Sequence, residues 1–360
     1  MRKTSKVLSI VLAGALALSL TACGGNKPAD STKAAAETSA ETTEAKGQES
    51  KEETKAEETK AEETKAGEAA ASDKTFKIGV LQLTQHAALD SANEGFFAAL
   101  DEAGVKYTAD QQNASGEQSN CQTIAEKLVN DGSDLILAIA TPAAQTVAGL
   151  TSDIPVILTA VTDPAESGLV ADNAAPGGNV TGTSDLTPVK EQIDLLQQLI
   201  PDVKTVGILF CSAESNSEIQ AQMAREALDK AGIAHKDYTV SNSNEIQTVV
   251  ESMIGKVDAV YAPTDNVIAA GMATVGMVAN DNNIPVICGE GGMVEAGGLA
   301  TYGIDYYQLG YLAGQQAIQI LVDGVSPAEI PIGYLPADKC ELKINDETAN
   351  ALGIDTSAVK

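Results

Sequence analysis

The sequence predicts an α/β protein built as two similar lobes, and three observations carry the prediction. Apolar runs without polar alternation end directly in small polar residues: Leu135–Ala140 runs into Thr141-Pro142-Ala143, and Pro155–Ala160 into Thr162-Asp163-Pro164. Runs of that kind belong to parallel strands covered on both faces. A helix-like stretch lies between them, which makes a βαβ unit. A second copy of the unit follows from Asp258 to Gly292, and the echoes continue around it. Ile154-Pro155-Val156-Ile157 recurs as Ile284-Pro285-Val286-Ile287, Ala99–Gly104 as Ala227–Gly232, and Lys77–Leu81 as Lys204–Leu209. The offsets are 127, 128, 124 and 130 residues, and a repeated offset is the mark of an internal duplication. The expected fold is therefore two Rossmann-like lobes with parallel sheets joined by a hinge.

The elements follow in order. Lys77–Leu83 reads as a strand and Ala87–Ala103 as a helix stopped by Gly104. Tyr107–Asp110 is a second strand and Glu117–Asn130 a helix. The central βαβ unit comes next, then the glycine-rich loop Pro176–Asp185, expected to join the lobes. The second lobe opens with helix Pro188–Leu199 and repeats the order: strand Lys204–Phe210, helix Ile219–Ala231, strand Ala234–Val240, helix Asn244–Ile254 and strand Asp258–Tyr261. Leu299–Tyr302 is a short strand. A long helix, Tyr306–Val322, is expected to cross back to the first lobe, with Ile332–Leu335 and Cys340–Ile344 returning to the second. The lobes so defined are 74–185 plus about 306–328, and 186–305 plus about 329–360.

Residues 1–73 read as targeting and tether. Arg2, Lys3 and Lys6 precede the apolar run Val7–Leu20 and then Leu20-Thr21-Ala22-Cys23, a secretory signal too short to span a bilayer. Leu-Thr-Ala-Cys resembles the bacterial lipobox, which implies cleavage before Cys23 and its acylation as a membrane anchor. Residues 24–73 are Ala, Glu, Thr and Lys, with KEETK repeated, and lack any large apolar residue; they are expected to be a solvated tether.

The net charge is −27; the signal carries +3 and the tether −6, which leaves −24 for Lys74–Lys360. Such a field repels phosphate backbones, so no nucleic-acid partner is expected. Two histidines and five widely spaced cysteines give no metal-ligand pattern, so neither metal nor cofactor is expected, and Cys121, Cys211 and Cys288 read as buried apolar side chains. No GxSxG, Walker or HExxH motif occurs, so no catalytic residue is named.

Sheets of this kind bind at the carboxyl ends of their strands. At such tips helix N-termini present free N–H groups to anions. Thr141 is expected as an N-cap before Pro142, with a ligand carboxylate on Thr141 and the Ala143 N–H. Asp265, beside Asn266, together with Glu290 and Asp305, are the candidates for a ligand ammonium. Gln85, Asn113, Thr162, Asp185 and Asn216 occupy the remaining tips, and His86 is a further candidate for the cleft. This arrangement suits a zwitterion.

The segments QQNASGEQ, AIATPAAQ, IPVILTAVTDP, PGGNVTGTSDLTP, YAPTDNVI and ATYGIDYYQLG, spread over Lys77 to Pro331, resemble the ABC-transporter substrate-binding lipoproteins of the tryptophan/tyrosine-type family. The resemblance implies a type I periplasmic-binding-protein fold closing on a small ligand, often an aromatic amino acid. It also implies delivery to a membrane permease powered by a separate ATPase, and a monomer. With no Trp in the chain, stacking would fall to Tyr, Phe96, Phe97 or His86. The alternatives are a sensor for a signalling partner, a receptor for a sugar or nucleoside, and an extracytoplasmic enzyme.

Overall fold

A computed structural model describes residues 74–336 and 339–359; the expected signal, Cys23 and tether lie outside them. In the first lobe, β1 (Phe76–Gln82), α1 (Ala87–Glu102), β2 (Tyr107–Asn113), α2 (Gln118–Asn130), β3 (Leu135–Ile139), α3 (Thr141–Ala148), β4 (Val156–Val161) and β5 (Val180–Ser184) follow one another. The second lobe holds α4 (Val189–Leu199), β6 (Thr205–Cys211), α5 (Ser215–Ala231), β7 (Ala234–Val240), α6 (Ile246–Glu251), β8 (Ala259–Ala262), α7 (Asn266–Ala270), α8 (Met272–Asp281), β9 (Val286–Cys288), α9 (Gly291–Glu295) and β10 (Ala300–Gly303). The chain ends with α10 (Tyr306–Leu321), β11 (Gly333–Tyr334), β12 (Glu341–Ile344) and α11 (Asp346–Leu352).

Two six-stranded sheets result, ordered β2-β1-β3-β4-β5-β11 and β7-β6-β8-β9-β10-β12. The order is the same in both, as duplication requires. Every strand pairing is parallel except β10 with β12. The repeat reaches single side chains. Asp134 Oδ2 accepts the Lys77 N–H at 2.8 Å where β1 starts, and Asp258 Oδ2 accepts the Thr205 N–H at 2.8 Å where β6 starts.

Continuous apolar strands place side chains on both faces of each sheet. Along β6, Val206, Ile208 and Phe210 pack with α4 and α5, while Leu209 and Cys211 pack with α6, α7 and α8. In the first lobe Ile78, Val80, Leu137, Ile139 and Ile157 join Phe96 of α1 and Ala313 of α10 in one core. Fully burying a Leu, Ile, Val or Phe side chain contributes about 1.5–3 kcal/mol, so helices on both faces hold each sheet. Cys121, Cys211 and Cys288 are buried free thiols in these layers, and Cys340 is half-buried and also free.

Three expectations change. Residues 180–184 are not loop but strand β5, and the first crossing between lobes is the short stretch 185–188. Helix α5 begins at Ser215, a turn earlier than its apolar periodicity suggests. The segment around Ile332 stays in the first lobe rather than returning to the second. Ile330 and Ile332 are buried in the first core, the Thr181 hydroxyl donates to the Ile330 carbonyl at 2.6 Å, and β11 pairs with β5. The first lobe thus extends to Tyr334, and only β12 and α11 go back. Three crossings, at 185–188, at 304–305 and between β11 and β12, form the hinge.

Candidate functional site

The carboxyl ends of both sheets point at each other, and side chains from the two lobes meet there. Gln220 Nε2–H of α5 donates to Thr162 Oγ1 at 3.1 Å and also to Thr264 Oγ1. His86 Nε2 lies 3.2 Å from Asn266 Oδ1, and Gln145 Nε2–H donates to Ser215 Oγ at 3.2 Å. The lobes are closed on one another. Beside these contacts a cavity of about 260 Å³ runs between the lobes. Leu83, Gly116 and Pro142 wall it on one side and Cys211, Glu214 and Val267 on the other.

Backbone conformation aims the first lobe's tips. Ala140, fully buried, takes φ 84° and ψ 153°, and Ala160 takes φ 55°, both costly for a residue with a Cβ. The β4–β5 register shifts between Leu158 and Val161, around Ala160, and turns Thr162 toward the second lobe. At Ala140 the same strain makes the sharp turn into α3. Thr141 is therefore the first residue inside the helix and not its cap; Ala140 occupies the cap position and offers no side-chain acceptor. The first N–H groups of α3, Ala143 among them, have no intrahelical acceptor. Ala143 itself is fully buried.

Several polar atoms at these tips are buried without a hydrogen-bond partner among the described residues. They include Thr141 Oγ1, Asp185 Oδ1 and Asn216 Oδ1, together with His86 Nδ1. Thr141, Asp185 and Asn216 are all at most 4% exposed. Such orphans cost about 1–3 kcal/mol each and call for a partner. Asp185 carries the largest burden. Its Oδ2 accepts the Tyr306 hydroxyl at 2.8 Å, no cation touches it, and burial pushes its carboxyl up to about 6 against the pull of the Tyr306 and Thr162 hydroxyls. Asp185 and Asn216 belong to one connected surface. Thr162 lies beside Asp185, Gln220 joins Thr162 to Thr264, and Asn216 Nδ2–H donates to the Thr264 carbonyl at 3.1 Å.

The acidic candidates of the second lobe are engaged elsewhere. Asp265 caps α7, Oδ1 accepting the Ile268 N–H at 2.8 Å and Oδ2 the Cys211 N–H and the Ser217 hydroxyl at 2.5 and 2.7 Å. Glu290 spends both oxygens on the Gly292 and Met293 N–H groups of α9, and burial pushes it up to about 7. Asp305 Oδ1 caps α10 through the Tyr307 and Gln308 N–H groups. A short polar side chain one residue before a helix favours the cap over a ligand. Gln85 and Asn113 line a groove of the first lobe alone, and Asn113 Oδ1 closes a turn on the Ser115 N–H at 2.8 Å. Asn266 faces the cleft, where its amide holds His86 and Glu214.

Sequence reasoning passed over Gln220, Glu214 and Tyr306. Asn216 and Gln220 stand four apart on the stripe of α5 that continues as Ala224 and Leu228, and polar residues on a buried stripe were the available signal.

Residues 77–359 match the family model described as ABC transporter substrate binding protein. The chain belongs to the ABC transporter substrate-binding protein family. A tyrosine-binding protein of Clostridioides difficile is 38% identical to this substrate-binding protein over 98% of the chain and 93% of that relative. A domain from Streptococcus pneumoniae solved in complex with L-Trp is 40% identical, covers 78% of this chain and 96% of its own, and has a TM-score of 0.76. The ligand-free, open structure of a substrate-binding protein with adhesive properties from Clostridium difficile is 39% identical over 79% of this chain and 97% of its own, with a TM-score of 0.61. Identity is almost equal in the two structural comparisons, so sequence divergence does not explain the gap. The overall likeness is thus greater to the L-Trp complex than to the open structure.

Proposed function

We propose that the protein is the extracytoplasmic solute receptor of an ABC importer for an amino acid, tryptophan or tyrosine first. In this reading Asp185 Oδ1 and Asn216 Oδ1 accept hydrogen bonds from the ligand ammonium. The Thr141 hydroxyl and the free N–H groups at the start of α3, Ala143 included, take the carboxylate. The side chain lies in the interlobe cavity, walled by Leu83, Pro142 and Val267. Thr162, Gln220 and Asn266 brace the walls. The observation that carries the reading is the buried Asp185, whose Oδ1 has no hydrogen-bond partner and which no cation pairs with among the described residues. A carboxylate kept in that state needs a cation to offset its desolvation, and the names of the similar proteins point to amino acids that carry one.

The finer parts of the proposal are a signal removed before Cys23, an acylated Cys23, residues 24–73 as the spacer above the membrane, and a permease with its ATPase as the recipient. Thermal-shift screening of the part from Lys74 to Lys360 against the amino acids, sugars and nucleosides tests the ligand class. At a ligand concentration of one hundred times Kd the stabilisation is about 2.7 kcal/mol. L-Trp or L-Tyr is expected to raise the melting temperature; a sugar or nucleoside doing so while all amino acids fail would overturn the assignment.

A further inference from the structure

Glu214 stands at the start of α5, on the second lobe's wall of the interlobe cavity, and is 4% exposed. Its Oε2 accepts the Asn266 Nδ2–H at 2.6 Å, the Asn266 N–H at 3.3 Å and the Asn216 Nδ2–H at 3.2 Å. All these donors belong to its own lobe. No Lys or Arg lines the cavity among the described residues. The titratable groups around it are Asp265 from the β8–α7 junction, Cys211 from the end of β6, His86 across the cleft through Asn266, and Glu117 on the first lobe's rim of the same cavity. None supplies a positive charge at neutral pH, since burial lowers the His86 pKa. Two buried carboxyls, Glu214 and Asp265, therefore share one neighbourhood with no counter-ion.

We propose that Glu214 is a proton-binding site that fills when the cleft closes, so that the receptor takes up a proton together with its ligand. Of the two acids Glu214 holds the proton. Burial raises the Asp265 pKa as well, but two backbone N–H groups and the Ser217 hydroxyl spread over both its oxygens favour its ionised form, whereas the donors to Glu214 crowd one oxygen. Burial and the Asp265 charge push the Glu214 carboxyl up to about 8 in the closed form. Opening withdraws Leu83, Thr84, Gly116 and Pro142 and admits water to the cavity-facing side of the carboxyl, which returns it toward the ordinary glutamate range. The closed state thus binds the proton more tightly than the open state. The sign follows: between the two pKa values each rise in pH weakens closure, and therefore affinity. His86 is mostly neutral above pH 7, because burial lowers its pKa in the closed form, and the small fraction of a proton it gives up on closing opposes the Glu214 uptake.

The inference rests on the proposed ligand cleft and is tested separately from it. Isothermal titration of the full chain with L-Trp and L-Tyr at pH 7.5, in phosphate and in Tris, gives the number of protons taken up per ligand. Most of one proton is expected for the natural protein, with affinity falling about fivefold from pH 7.0 to 8.0. In Glu214→Gln, which keeps the oxygen that Asn266 and Asn216 bind, the uptake is expected to vanish and the affinity to stay flat over that range. Equal uptake in both proteins, or none in the natural one, would overturn the proposal. If neither amino acid binds, the amino-acid reading falls, and the same proton count made with whichever sugar or nucleoside the thermal screen returns still decides this one.

Discussion

Asp185 illustrates how a buried carboxyl with an unpartnered oxygen taxes the protein that carries it. Its folded pKa is raised, from 3.8 to about 6, so the ionised form is disfavoured by the fold. That penalty is absent below the unfolded value, grows as pH rises through the interval, and is complete above the folded value. Asp185→Asn is therefore expected to stabilise the ligand-free protein at pH 7.5 by about 1–3 kcal/mol, with the gain shrinking to nothing near pH 4. Urea melts at the two pH values check it. The same variant is expected to lose ligand affinity by about 2–4 kcal/mol, roughly thirtyfold or more, in calorimetric titration, because a buried ammonium is left without its charge partner. Thr141, Asp185 and Asn216 were legible in the sequence as residues at strand ends. What separated them from Asp265 and Glu290 was not legible, since a tip carboxylate that caps a helix and one left with an unpartnered oxygen look alike until the donors around them are placed. Ala140 and Ala160 carried no signal at all: alanine does not advertise a positive φ.

At the scale of elements, α1 and α10 pack backbone to backbone. A Cβ added at Gly310 would overlap the carbonyl of Ala92, one at Gly95 the carbonyl of Tyr307, and one at Gly314 the carbonyl of Phe96. Alanine would favour the helix itself by about 1 kcal/mol, but forcing two backbones apart in a filled core costs about 1–3 kcal/mol and also drags α10 from the hinge. Gly310→Ala is expected to be net destabilising, with a melting temperature lower by roughly 2–8 °C in calorimetry. The strands and helices were readable because their apolar runs are long and undiluted. The short strand β11 was not. Two residues carry no periodicity, and its placement is decided by Ile330 and Ile332 finding the first core and by the Thr181 hydroxyl, all distant in sequence.

The whole molecule is two copies of one sheet order facing each other across a hinge of three crossings. The duplication was visible as offsets of 124 to 130 residues, and with it the two-lobe architecture. Gln145, Gln220 and His86 make hydrogen bonds between the lobes, and under the proposed function ligand contacts made only in the shut form are expected to decide the balance between open and closed. X-ray scattering is expected to show a smaller radius of gyration with saturating L-Trp or L-Tyr than without, and an unchanged profile would exclude a hinge response. The late arrival of β11 and β12 has a further consequence. Neither lobe is a continuous piece of chain: the first sheet waits for Gly333–Tyr334 and the second for Glu341–Ile344. A growing polypeptide cannot complete the first sheet before Gly333–Tyr334 are made, nor the second before Glu341–Ile344, so both halves mature together, long after their central strands have been synthesised.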